Sequence, residues 1–144
     1  MHIERSALLP YPAAEVYALV NDIESYPQYL KWCKAARTLE SGDHLVVAEL
    51  TLAGRGLKET LVTRNSLVPN HSISMTLAHG PFRHFSGTWT FTTLGPGCRV
   101  RLALEFEPKR SFFTVFGTAH VLGRVADETL DGFVRRAREV LSPA

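Results

Sequence analysis

The sequence predicts an α+β fold in which a curved antiparallel sheet wraps a long C-terminal helix, with two short helices after the first strand. Three observations predict it. The stretch His79–Phe91 opens with a turn signal and continues as a strand with Phe85, Trp89 and Phe91 on one face and Ser86, Thr88, Thr90 and Thr92 on the other. That period-two pattern with large aromatics marks a half-buried antiparallel strand. Turn chemistry cuts residues 35–107 into short strand-like runs. Beyond Pro108, apolar residues recur at steps of three and four for roughly thirty residues. The aromatic strand face needs a bulky cover, and the terminal helix is the element long enough to supply it. A strongly curved sheet closed over one helix leaves a hollow between them, and that hollow is the functional clue.

The elements follow in order. Residues 2–9 alternate Ile3, Arg5, Ala7 and Leu9 against His2, Glu4, Ser6 and Leu8, which suits a first strand ended by Pro10 and Pro12. Pro12 fits the first turn of a helix, where a missing N–H costs nothing. Val16, Leu19 and Val20, with Tyr17 beside them, carry that helix to Asn21-Asp22, and a second short helix covers 23–29, limited by Pro27. Strands at 35–40, 45–53, 57–67, 72–79, 85–94 and 98–107 are separated by Ser41-Gly42-Asp43, Gly54-Arg55-Gly56, Pro69-Asn70 and Gly95-Pro96-Gly97. Ser111 is the expected N-cap of the long helix, which stops before Pro143; Gly117 and Gly123 within it mark a bend or a close approach to the sheet. The helical pair lets the first strand lie beside the last in one sheet.

At 144 residues with 45% hydrophobic and 21% charged side chains, the chain reads as one globular domain, 1–144, rather than a disordered segment. A formal charge of +2 is too small to imply a nucleic-acid partner by itself. No run approaches the ~20 apolar residues of a membrane span. The first residues lack the apolar core of a signal peptide. A cytoplasmic location is therefore expected, with a peripheral membrane contact as an extension. Cys33 and Cys98 have no metal or redox spacing and read as free thiols. The histidines have no ligand spacing, and there is no nucleophile elbow, phosphate-cradling glycine loop or acid–base pair. The expectation is a protein that is not an enzyme and carries no metal or covalent cofactor.

Six segments carry a family resemblance: Tyr26-Pro27-Gln28-Tyr29-Leu30-Lys31-Trp32-Cys33, Thr63-Arg64-Asn65, Gly80-Pro81-Phe82-Arg83, Gly87-Thr88-Trp89-Thr90-Phe91, Cys98-Arg99-Val100 and Phe133-Val134-Arg135-Arg136-Ala137. In this order and spacing the chain resembles the START-like (SRPBCC) helix-grip superfamily, in the branch of the ribosome-association toxin RatA and the coenzyme Q-binding proteins. Two positions depart from the family pattern. Lys31 stands where proline usually precedes the tryptophan, and Leu61 where an aromatic is common. The first loosens the loop before Trp32; the second reshapes the cavity. The resemblance implies an apolar tunnel between sheet and helix. It also implies two functions, binding of a prenylated quinone such as ubiquinone in support of respiration, or binding of the large ribosomal subunit with a block of subunit joining. Some START-like proteins are cyclases, so the resemblance also leaves room for an enzyme, with no residue to assign to it.

The candidate tunnel residues are Leu61, Met75, Leu77, Phe85, Trp89, Phe91, Leu104, Phe106, Phe116, Leu122 and Val125. Any of them serves equally well as plain core; the case for a tunnel is collective, because apolar walls bind greasy ligands through buried area. Arg64, Thr63 and His79 are the candidates for a polar head-group contact, ahead of Glu59, since a buried carbonyl needs a donor; Arg64 also reads as a surface charge. Tyr26, Tyr29, Trp32 and Phe82 are portal or lid candidates, or a satellite core under the short helices. Lys109 and Arg110 before the helix, and Arg135, Arg136 and Arg138 near its end, are candidates for ribosomal RNA phosphates, or a solvated helix face diluted by Glu128 and Glu139.

Overall fold

Alternation builds the first element: Ile3 and Leu9 are buried while His2, Glu4, Ser6 and Leu8 are exposed. In the computed structural model, which describes residues 1–54, 57–109 and 119–142, this is strand β1 (His2–Leu9). Pro12 stands at the N-cap of α1 (Ala13–Asn21), and its carbonyl accepts the N–H groups of Glu15 and Val16 at 3.0 and 3.2 Å. Ala13, Val16, Tyr17 and Val20 are buried, one stripe at three- and four-residue steps. The second short helix, expected over 23–29, is a 3₁₀ segment, Ile23–Gln28. Pro27 inside it has no N–H to give, so the segment closes with i→i+3 bonds such as Ser25 N–H to the Asp22 carbonyl at 3.2 Å.

The remaining strands are β2 (Cys33–Ser41), β3 (Leu45–Gly54), β4 (Leu57–Val68), β5 (Ser72–His79), β6 (Phe82–Leu94) and β7 (Gly97–Pro108). They form one seven-stranded sheet in the order β1-β7-β6-β5-β4-β3-β2, with every pairing antiparallel. The first strand does lie beside the last, with Ile3 opposite Leu104 and Leu9 opposite Cys98. Asn70, at φ 67°, and Gly95, at φ 58°, make the left-handed turns between β4 and β5 and between β6 and β7. Strand β6 starts three residues before the position expected from its alternation. A bulge between Phe82 and His84 puts Phe82 and Phe85, an odd step apart, into contact with ring centroids at 5.2 Å.

Helix α2 (Ala119–Val140) crosses the concave face of the sheet. Ala126, Thr129, Leu130, Phe133 and Ala137 are buried on its inward side. The expected start at Ser111, with Gly117, lies outside the described residues. The close approach falls at Gly132, where a Cβ would sit 2.6 Å from Leu30 Cδ2, and not at Gly123, where the nearest neighbour is Arg5 at 3.6 Å. The core comes in two parts. The larger packs α1 and the later part of α2 on Trp89, Phe91, Val100 and Leu102, with Tyr17 edge-on to Phe91 at 5.5 Å. The smaller gathers Ile3, Leu61, Phe82, Phe106 and Ala126. Among the described residues, no helix is long and apolar enough to cross a membrane. Cys33 and Cys98 are both buried and free.

Candidate functional site

Between the two cores lies a cavity of about 190 Å³. Voids larger than a water molecule are few in a well-packed interior. A cavity of ~150 Å³ lined by aliphatic and aromatic groups accepts benzene, so this one has room for a substituted six-membered ring. Aromatic groups bracket it. At one end Phe133 packs edge-on against Trp89 and Tyr26, with centroids at 5.2 and 5.3 Å. At the other, Phe82 meets Phe85 at 5.2 Å and Phe106 at 6.2 Å. Leu50, Leu52, Leu61, Met75 and Leu104 complete the sheet wall, and Val125, Ala126 and Thr129 the helix wall.

Gly87 makes part of this space. It sits on the inner face of β6 between Phe85 and Trp89, and a Cβ there would lie 2.6 Å from Leu104 Cδ2 and 2.8 Å from Met75 Cε. Both side chains therefore fold down over a bare patch of sheet instead of standing up into the cavity. Among the described residues, the lining includes no carboxylate, imidazole, amine, guanidinium or thiol. Its polar groups are Tyr26, Trp32, Thr63 and Thr129, each tied to the protein. Tyr26 OH donates to the Val20 carbonyl. Trp32 Nε1 donates to Thr129 Oγ1 at 2.8 Å, Thr129 Oγ1 to the Val125 carbonyl at 2.7 Å, and Thr63 Oγ1 to Asn65 Oδ1 at 2.9 Å. Burial holds the Tyr26 phenol well above its ordinary pKa.

Seven of the tunnel candidates line the cavity: Leu61, Met75, Phe85, Trp89, Leu104, Phe106 and Val125. Phe91 and Leu77 do not. Phe91 is buried one step too far along β6, against Tyr17, and Leu77 packs at the margin of the smaller core. Phe116 and the side chain of Leu122 lie outside the described residues. Of the head-group candidates, Thr63 faces the cavity, while Arg64 and His79 are exposed. Arg64 follows Thr63 on β4, so the pleat turns it to the opposite face; His79 ends β5 on the solvent side. Glu59 is likewise no part of the lining. Phe82 is a wall of the cavity rather than an outer lid, because the β6 bulge turns it inward.

Tyr26 and Trp32 reach the cavity; Tyr29 stays behind them, against Phe133 at 5.6 Å and beneath the Arg136 guanidinium at 5.2 Å. Tyr29 OH and Asn21 Oδ1 are buried with no hydrogen-bond partner among the described residues. Leu50, Leu52, Leu102, Ala126, Thr129 and Phe133 are wall residues that the sequence reading did not single out. Leu50 and Leu52 alternate with Glu49 and Thr51, so strand period was available as a signal. Thr129, the polar member of an apolar helix stripe, offered another.

The described basic residues do not form one patch. Lys109 lies beside β6, donating its backbone N–H to the Pro81 carbonyl at 2.9 Å, and Arg110 is outside the described residues. Arg135 and Arg136 lie at the other core, donating to the Tyr29 carbonyl at 3.2 Å and Gln28 Oε1 at 3.1 Å. Arg138 is exposed in the last turn of α2.

Comparisons with known proteins agree with this architecture. A family model described as polyketide cyclase / dehydrase and lipid transport matches residues 9–137. Ribosome association toxin RatA of Pseudomonas aeruginosa is 41% identical over 145 residues, covering 96% of each chain. Coenzyme Q-binding protein COQ10 homolog B, a mitochondrial protein of Xenopus laevis, is 25% identical over 109 residues, which cover 72% of this chain and 45% of that protein. A solved START superfamily protein from Mycobacterium smegmatis shares the fold, with a TM-score of 0.77 at 19% identity over 96% of this chain and 98% of that one. With its helix gripped by a seven-stranded sheet and its length matched almost throughout, the chain belongs to the polyketide cyclase/dehydrase and lipid transport family, START-like in fold and similar along its length to the RatA proteins.

Proposed function

We propose that this chain is a non-enzymatic binding protein that holds a hydrophobic, ring-bearing ligand of the prenyl quinone class between the sheet and α2, shielding it and delivering it in support of respiration. One observation carries the reading: a ring-sized apolar cavity of about 190 Å³ bracketed by aromatic side chains. Burying ~150 Å² of ligand there yields about 4 kcal/mol before ordering costs. The one titratable group of its described lining, the Tyr26 phenol, is buried and donates to the Val20 carbonyl, which favours binding over cyclase chemistry. The likeness to a coenzyme Q-binding protein points to the same ligand class. Such a ligand resides in membranes, so exchange requires a peripheral membrane contact. Mass spectrometry of extracts from the purified protein, followed by titration with a short-chain quinone, tests the reading. Co-purifying quinone or saturable binding supports it; no lipid and no saturable binding rejects it.

Association with the large ribosomal subunit is the second reading, favoured by 41% identity to a RatA protein across 96% of the chain. Sucrose-gradient profiles after overproduction separate the two. A rise in free subunits at the expense of joined ones supports ribosome association, and an unchanged ratio rejects it.

A further inference from the structure

Among the described residues, every proton on the polar groups that line the cavity is already given to a protein acceptor. Tyr26 serves the Val20 carbonyl, Trp32 serves Thr129, and Thr129 serves the Val125 carbonyl. Thr63 gives its hydroxyl proton to Asn65 Oδ1 at 2.9 Å. What remains on the sheet wall is the lone pairs of Thr63 Oγ1. We infer that the cavity reads one oxygen of its ligand, and reads it as a proton acceptor. The site therefore favours a ring bearing a phenolic or quinol hydroxyl over the same ring bearing only carbonyls. This rests on the cavity being the ligand site.

The physical reason is an asymmetry of satisfaction. A quinol O–H entering the cavity finds Thr63 Oγ1 as its acceptor. A quinone carbonyl loses its water and finds no donor on the described walls, and a buried oxygen left without a partner pays its full desolvation. Asn65 sets the sense of this selection. It lies two residues along β4 from Thr63, between Val46 and Met75 on the flanking strands, with 4% of its surface exposed. Its carbonyl oxygen, turned towards Thr63, commits the threonine proton; an amide turned the other way would leave that proton for the ligand. Asn65 is thus a positioning residue, acting on the ligand through Thr63.

Calorimetric titrations with decylubiquinone, its quinol kept reduced under anaerobic conditions, and decylbenzene as a probe without polar atoms test the inference. The wild-type chain is expected to bind the quinol roughly tenfold tighter than the quinone. Thr63→Val, similar in volume, is expected to bring that ratio close to one with decylbenzene still bound. Asn65→Leu frees the Thr63 proton and is expected to turn the preference towards the quinone. Thermal melts check that both variants are folded. Equal or quinone-preferring binding by the wild type, with decylbenzene still bound, overturns the inference and leaves the proposed function standing. Failure of all three probes to bind overturns both.

Discussion

Trp32 and Thr129, 97 residues apart in sequence, are joined by a 2.8 Å hydrogen bond from the indole N–H to the threonine hydroxyl. The bond ties the loop before β2 to the helix across the edge of the cavity. Thr129→Val removes the acceptor and leaves the half-buried indole N–H to find water. The variant is expected to lose about 1 kcal/mol of stability and to release a bound quinone faster. Urea denaturation and stopped-flow dissociation check the two effects. An unchanged release rate would mean that ligand does not leave past Trp32.

The bare patch at Gly87 leads to a separation of stability from binding. Gly87→Ala forces Leu104 and Met75 up into the cavity, because the new methyl would stand 2.6 and 2.8 Å from their terminal carbons. Flexible ends that move into empty space soften the usual overpacking cost of about 1–3 kcal/mol. The expected outcome is a several-fold loss of quinone affinity with a melting temperature lowered by only a few degrees. Binding titration beside a thermal melt reads both.

Phe133 joins the cavity wall to the larger core. Its ring meets those of Tyr26, Tyr29 and Trp89 at 5.3, 5.6 and 5.2 Å, and it is 2% exposed. Phe133→Ala is expected to cost about 3–5 kcal/mol, measured as a fall in the urea midpoint. Phe133→Leu, which keeps most of the volume, is expected to cost markedly less.

Burial pushes the Cys33 thiol up from 9.0 to about 11. The native state thus holds a proton that the unfolded chain gives up near pH 9. Below that pH the contribution to stability is complete; between about pH 9 and 11 it is lost at about 1.4 kcal/mol per pH unit. Stability measured against pH should fall across this window, and less steeply in Cys33→Ala. At neutral pH the native thiol should react with a disulfide reagent far more slowly than in the urea-unfolded chain.

The order of elements was legible because each strand advertises its inner face by period two and each break by turn chemistry. Ile73, Met75 and Leu77 on β5, and Val100, Leu102, Leu104 and Phe106 on β7, announce their face without any knowledge of a partner. The site was only half legible. Period two places Phe91 on the same face as Trp89, yet α1 covers the one and the cavity meets the other. Arg64 looked suitable by chemistry, but its place next to Thr63 on a pleated strand sends it outward. Phe82 was expected at a portal and is a wall instead, because a bulge changes the face that a residue count predicts.

What the sequence by itself determined is the set of surfaces that had to be buried: one face of seven strands, a stripe on α1 and a stripe on the terminal helix. Those follow from local spacing, since side-chain direction repeats every two residues in a strand and every 3.6 in a helix. Only the tertiary structure decided that the surfaces leave a gap, and what borders it. Whether Gly87, Met75 and Leu104 fill a space or line one depends on how far α2 stands from the sheet. That distance is fixed by contacts between residues far apart in the chain, such as Gly132 with Leu30 and Trp32 with Thr129.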